Sequence, residues 1–172
     1  MKIKKVPIIY TERLSLHAIS DNDTERVIDI VMNEEVAKTY MVPEYKTRDE
    51  AIPLFNTLKK LSLSEDRFVY GIYLTDELIG FINDVGIGDK EIELGYVIYP
   101  LYSGNGYATE ALKASIKELF ASEFNVVKAG AFEDNLASMR VMEKCQMKKT
   151  GQEEKIEYRG KEHRCIYYEI KA

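Results

Sequence analysis

The stretch Glu91-Ile92-Glu93-Leu94-Gly95-Tyr96-Val97-Ile98-Tyr99-Pro100-Leu101-Tyr102-Ser103-Gly104-Asn105-Gly106-Tyr107-Ala108-Thr109-Glu110-Ala111-Leu112 decides the fold. Its apolar run, Leu94 to Tyr99, reads as a buried strand that Pro100 stops. Gly104 and Gly106 make a tight turn without side chains, and from Ala108 the apolar period becomes helical. Strand, glycine turn and helix start place free backbone N–H groups at the positive end of a helix dipole. That is an anion site, most naturally for phosphate.

On either side, the chain alternates between strand and helix signals. Ile8 to Ile19 predicts a first strand, led by Thr11-Glu12-Arg13. Asp21, Asn22 and Asp23 are helix-start residues before Val27, Ile28 and Val31. Met41 to Lys46 is a loop, and Thr47-Arg48-Asp49-Glu50 has the form of a capping box for a second helix. Pro53 implies either a kink in that helix or a later start. Phe68–Leu74, Leu78–Gly86 and the strand of the opening stretch are joined by short turns and predict an antiparallel meander.

After the glycine turn, Ala108, Ala111, Leu112, Ile116, Leu119 and Phe120 form one helical stripe. Val126–Phe132 is the next strand, expected beside the quoted one and parallel to it through a right-handed crossover. Asn135 can cap a fourth helix, and Lys148–Ala172 reads as a hairpin around Arg159-Gly160-Lys161.

The bulk composition narrows the function classes. The 172 residues suit one domain, residues 1–172, with a real core. The chain is 45% hydrophobic and 31% charged, with no apolar run near the ~20 residues a membrane helix needs. The basic start, Met1 to Pro7, lacks the apolar core of a secretory signal, so a cytoplasmic protein without a membrane partner is expected. A net charge of −5 argues against nucleic acid as a partner. Cys145 and Cys165 read as buried free thiols, and two histidines without a Cys-x-x-Cys pair argue against a metal site.

Four motifs in order resemble the GCN5-related N-acetyltransferases, the GNAT superfamily, and among them its RimJ/RimL-like branch. They are Thr11-Glu12-Arg13-Leu14, Glu93-Leu94-Gly95-Tyr96, Gly104 to Leu112, and Asn135-Leu136-Ala137-Ser138-Met139-Arg140-Val141-Met142-Glu143-Lys144. The resemblance covers nearly the whole chain. It implies an α+β, three-layer fold: a mixed sheet of about seven strands, with an antiparallel meander and a parallel pair, flanked by about four helices. It also implies acetyl-CoA as co-substrate, with no metal. The acceptor would be an amine-bearing small molecule (a polyamine, an amino acid, an aminoglycoside-like compound) or a protein N-terminus.

The superfamily's coenzyme loop has the form Arg/Gln-x-x-Gly-x-Gly/Ala; here Gly106 and Ala108 match and Ser103 departs. By resemblance, Ser103, Gly104, Asn105, Gly106, Tyr107, Ala108 and Thr109 surround the pyrophosphate, Tyr96, Val97 and Ile98 flank the pantetheine arm, and Asn135 and Ser138 also contact the coenzyme. A backbone N–H near Val97 would hold the oxyanion.

Strand alternation puts Glu91 and Glu93 on one face, opposite Ile92 and Leu94. Glu93, within the Glu-Leu-Gly-Tyr match, is the expected base, and Glu91 remains the alternative. A bulge in this strand would change which one faces the site. Another branch of the superfamily carries its base on the next strand, where this chain has Gly130. Many relatives carry a tyrosine acid where Met142 stands, whereas RimL-like enzymes offer a serine matching Ser138. Two readings of Ser138 stay open: proton donor, or a helix-start serine that satisfies backbone N–H groups. Tyr158, Arg159 and Lys161 border either the acceptor or a homodimer contact, and His163 is left out of the site. Ser103 and Met142 also motivate a second function, a non-catalytic acetyl-CoA-binding sensor.

Overall fold

In the computed structural model, which describes residues 3–172, the expected first strand is broken in two. β1 (Ile8–Tyr10) and β2 (Leu14–His17) form a hairpin closed by Thr11, whose N–H donates to the Leu14 carbonyl at 2.9 Å and whose Oγ accepts the Leu14 N–H at 2.9 Å. A short 3-10 turn (Asp21–Asp23) leads into α1 (Thr24–Val31). α2 (Glu34–Ala37) was not expected: Asn33 starts it by accepting the N–H groups of Glu35 and Val36. α3 (Arg48–Ser62) begins where the Thr47 motif places it and runs through Pro53. The expected capping box does not form. Thr47 makes no side-chain cap bond, and Glu50 Oε2 instead accepts from the Lys46 N–H at 2.8 Å. Pro53 removes the donor for the carbonyl of Asp49, an exposed residue whose oxygen water can satisfy.

β3 (Val69–Leu74), β4 (Glu77–Ile87) and β5 (Glu91–Ile98) form the antiparallel meander. α4 (Tyr107–Ala121), β6 (Val126–Phe132), α5 (Leu136–Lys144), β7 (Lys148–Tyr158) and β8 (Lys161–Lys171) follow. The sheet has eight strands in the order β1-β2-β3-β4-β5-β6-β8-β7, and every pairing is antiparallel except β5 with β6. The eighth strand comes from the split at Thr11, and the fifth helix is α2.

Strand alternation divides the sheet into two buried faces. Leu14, Leu16, Ile72, Ile82, Ile92 and Leu94 pack with Leu112, Leu119 and Met142 of α4 and α5. Tyr73, Phe81 and Val97 pack on the other face with Val27, Ile30 and Phe55 of α1 and α3. Each such side chain contributes roughly 1.5–3 kcal/mol when fully buried. Beyond the helices, Phe132, Cys165 and Tyr167 make a small third cluster with Ile156 and Tyr158. The molecule is thus a three-layer α+β fold.

Candidate functional site

The parallel ladder is short. β5 and β6 pair from Glu91↔Val126 to Leu94↔Ala129 and then part. Beyond that point β5 follows β4 to Gly80↔Ile98, while β6 follows β8 to Phe132↔Cys165. A gap opens between the two strands, edged by backbone without ladder partners. The Tyr99 N–H donates to Ile79 at 2.7 Å, and the Val97 carbonyl is aimed at Gly80, so the odd residues spend their backbone groups on β4. By alternation, the N–H and C=O groups of Tyr96 and Ile98 face the gap. The backbone of Val97 itself faces away from it, so the N–H groups near Val97 that face the gap are those of Tyr96 and Ile98.

At the far end of β5, a 3-10 turn (Pro100–Tyr102) leads into the glycine loop. Gly104 and Gly106 have φ of +78° and +79°, a left-handed conformation that side chains rarely adopt. Gly106 occupies the N-cap position of α4. Among the described residues, no acceptor meets the backbone N–H groups of Gly104, Asn105 and Gly106. The loop is braced on both sides. Asn105 Nδ2 folds back onto the carbonyls of Tyr102 and Ser103. Arg26 of α1 pairs with Glu77 and lies over the rings of Tyr99 and Tyr102. From the β1–β2 turn, Thr11 and Arg13 bind Glu110 in the first turn of α4, and Arg13 also reaches the Asn105 carbonyl. Sequence reasoning singled out Thr11-Glu12-Arg13-Leu14 but gave it no role.

Gap and loop open into one cleft of about 670 Å³, within the usual range for small-molecule sites. Every residue expected around the coenzyme lines it except Asn105. Asn105 turns its carbonyl to Arg13 and its side chain to the loop. Arg140 and Lys144 of α5 add positive charge to the lining, and Glu35, Thr39 and Tyr40 close it on the α2 side.

Ser138 sits where gap and α5 meet. The helix start is capped by Asn135, whose Oδ1 accepts the Ser138 N–H at 3.1 Å. That leaves the Ser138 hydroxyl free of cap duty, and it lies 2.8 Å from the Tyr96 hydroxyl. Burial pushes the Tyr96 phenol well above its usual range, so it stays protonated. This pair of hydroxyls, 42 residues apart in sequence, was not foreseen. Met142 is fully buried in the core and offers no proton.

The two candidate bases differ in their partners. Glu91 is tied to Lys128 Nζ at 2.9 Å. Glu93 is half-buried on the face of Gly95 and Val97 and has no hydrogen bond or ion pair to a described residue. Burial first, and then the nearby charge of Glu154, raise its carboxyl pKa, with Lys128 opposing. β5 itself has no bulge; the extra residue is Val85 on β4, between Asp84↔Leu94 and Gly86↔Glu93. Glu93 does not line the cleft. It lies two residues before Gly95, which does, a step of roughly 7 Å along a strand.

Gly130 is bare for a reason. A Cβ there would lie 2.9 Å from the Tyr167 ring and 3.0 Å from Cys165 Sγ, so Tyr167 fills the space. Its hydroxyl donates to Glu154 at 2.6 Å. The hairpin meets α2 through Tyr158, whose hydroxyl donates to the Ala37 carbonyl at 2.8 Å, and the loop after α2 through Arg159, which reaches the Val42 and Pro43 carbonyls. His163 stacks on Phe132. Both cysteines are free and buried; burial pushes the Cys145 thiol up to about 11, so neither reads as a nucleophile. No group of metal-ligating side chains occurs among the described residues, and no helix is long and apolar enough to cross a membrane.

The sequence pattern of the family described as "Acetyltransferase (GNAT) domain" matches residues 13–148. The chain is 32% identical over 151 residues to the uncharacterized N-acetyltransferase YoaA of Bacillus subtilis (strain 168), covering 84% of this chain and 85% of that one. Its fold overlays a GNAT-family acetyltransferase from Bacillus anthracis with a TM-score of 0.82 at 25% identity, covering 95% and 98% of the two chains. A likeness of fold alone links it to RimL, a ribosomal L7/L12 α-N-protein acetyltransferase in complex with coenzyme A: TM-score 0.84 at 19% identity, over 95% and 97%. With its unpaired strand edge leading into a glycine loop at a helix start, the chain belongs to the GNAT acetyltransferases and is an acetyl-CoA-dependent N-acetyltransferase.

Proposed function

We propose that the protein transfers acetyl from acetyl-CoA to a primary amine by direct attack in a ternary complex. The observation that carries this reading is the pair of hydroxyls from Ser138 and Tyr96 in the cleft, freed for chemistry because Asn135 caps α5. The thioester would lie in the gap with its oxygen toward the N–H of Tyr96 or Ile98. An alkylammonium acceptor gives up two protons. Glu93 takes one through water and passes it to solvent. The other ends on the CoA sulfur as the carbon–sulfur bond breaks, with the Ser138 hydroxyl hydrogen-bonded to the departing thiolate. The raised pKa of Glu93 makes it a stronger proton acceptor than an ordinary carboxylate.

The acceptor approaches from the α2 side of the cleft, where Glu35, Thr39 and Tyr40 line it. RimL, by its name, acts on the α-amine of a ribosomal protein, so peptides with free N-termini stand beside small amines as acceptors to test. The deciding experiment is a panel of both, scored by CoA release. Turnover that falls in Ser138→Ala while acetyl-CoA binding holds supports the reading. Tight binding with no CoA release from any amine would overturn it in favour of a sensor.

A further inference from the structure

We propose that Arg13 is a positioning residue for coenzyme binding, holding the glycine loop from behind so that its N–H groups face the pyrophosphate. The proposal rests on the cleft being the coenzyme site and needs no assumption about the acceptor. Arg13 does not line the cleft. Its Nη1 donates to the Asn105 carbonyl at 2.9 Å, and Nη2 lies against Gly106, 3.4 Å from where a Cβ would sit. A trans peptide points its C=O and its N–H in opposite directions. Drawing the Asn105 carbonyl toward Arg13 therefore turns the Gly106 N–H the other way, toward the cleft that Gly106 lines.

The guanidinium is itself fixed. Nε donates to Glu110 Oε2 at 2.7 Å, and the side chain lies over the Tyr107 ring at 4.5 Å. Glu110 Oε1 accepts both the Arg13 N–H at 2.8 Å and the Thr11 hydroxyl at 2.6 Å. Burial pushes the Glu110 carboxyl up, but these hydrogen bonds outweigh it and hold its pKa below the usual value. Turn, loop and helix start are thereby one unit.

The loop needs this external hold. Two left-handed glycines flank Asn105, and such a segment has little conformational preference of its own. Ser103, standing where relatives carry a long polar side chain, gives the loop no charged arm. Arg13 does not replace that charge, because Glu110 neutralises it. What Arg13 contributes is the orientation of a peptide.

The test compares ligands with and without the pyrophosphate. Calorimetry measures binding of CoA and of pantetheine to the wild type, Arg13→Ala and Glu110→Gln, and kinetics with acetyl-CoA and S-acetylpantetheine run in parallel. Arg13→Ala is expected to weaken CoA by about tenfold or more and pantetheine by no more than about twofold, the difference being the anion cradle. Glu110→Gln keeps the packing, loosens the guanidinium and should fall between. Equal losses for both ligands, or undiminished CoA binding in a folded variant, overturn the proposal. If Arg13→Ala does not fold, Arg13→Gln carries the same comparison. Absence of transfer to any amine would leave these binding results intact and count only against the proposed reaction.

Discussion

The cleft has two halves, built by different means. The half proposed for the coenzyme is made of backbone: an unpaired strand edge, two left-handed glycines and the start of a 15-residue helix, braced by Arg13, Arg26 and Asn105. The side proposed for the acceptor rests on side-chain contacts instead: Tyr40, which lines the cleft, is held on Asn83, and outside the lining Tyr158 holds the Ala37 carbonyl of α2 and Tyr167 holds Glu154. A backbone site demands particular residues, because only certain types permit its turns. A side-chain site tolerates many solutions. A family can therefore keep one coenzyme and vary its acceptors, and the contrast can be pressed from either half.

The hardest blow falls on the backbone half. Gly106→Trp places a bulky side chain at φ +79° beside Arg13. It is expected to abolish CoA binding, a loss of about 100-fold or more, with a smaller effect on the thermal midpoint. Next come the hydroxyls. Ser138→Ala and Tyr96→Phe should each lower kcat by about tenfold to 100-fold with KM for acetyl-CoA little changed. The double variant should cost little more than either single one, because the hydroxyls act as a unit. If Ser138→Ala lowers only the thermal midpoint, the hydroxyl is structural.

Glu93→Gln separates the two halves by pH. A base is needed while the amine arrives protonated and Glu93 is ionised, so the loss should be largest between the Glu93 pKa and the amine's own pKa and shrink on either side. In the wild type, the rate should fall as pH drops through the Glu93 pKa, at a pH above the ordinary carboxylate range. Glu154→Gln removes a like charge and should move that limb to lower pH, with burial keeping part of the shift. Glu91→Gln loses a surface ion pair with Lys128 and should cost no more than about 1 kcal/mol of stability, with kcat unchanged. Equal kinetic effects of Glu91→Gln and Glu93→Gln would remove Glu93 as base. A smaller kinetic effect than that of Glu93→Gln belongs to Tyr158→Phe, which cuts the hairpin's hold on α2 at a cost of about 1 kcal/mol. Acceptor KM should rise a few-fold while CoA affinity holds, scored by calorimetry beside steady-state kinetics.

What was legible in the sequence follows the same division. The glycine loop, the parallel strand pair and the Asn135 cap rest on local residue types, and each lies where the sequence puts it. The break at Thr11 was missed because the residues around it alternate as one strand would; the hydroxyl that closes the turn is not an apolar signal. α2 is a single turn, too short for a helical period to show, and Asn33 was its only mark. At Thr47 the capping pattern was present, but the carboxylate reached one residue further back. The Arg13–Glu110 and Tyr96–Ser138 contacts span 97 and 42 residues. Such partners are chosen by the fold, and no local spacing announces them. Gly130 could be excluded as a base from its identity alone, yet the reason it is glycine lies in Tyr167.

The short ladder between β5 and β6 has a consequence beyond catalysis. The sheet is two blocks, β1 to β5 and β6 to β8, joined edge to edge by only the four residue pairs from Glu91 to Leu94, with α4 bridging the seam. On the proposed binding mode, a coenzyme arm in the gap would supply rungs that the chain leaves out and so act as a rivet in the fold as well as a reactant. Because a ligand that binds only the folded state stabilises it by RT ln(1 + L/Kd), with L its free concentration, the thermal midpoint is expected to rise with the concentration of coenzyme.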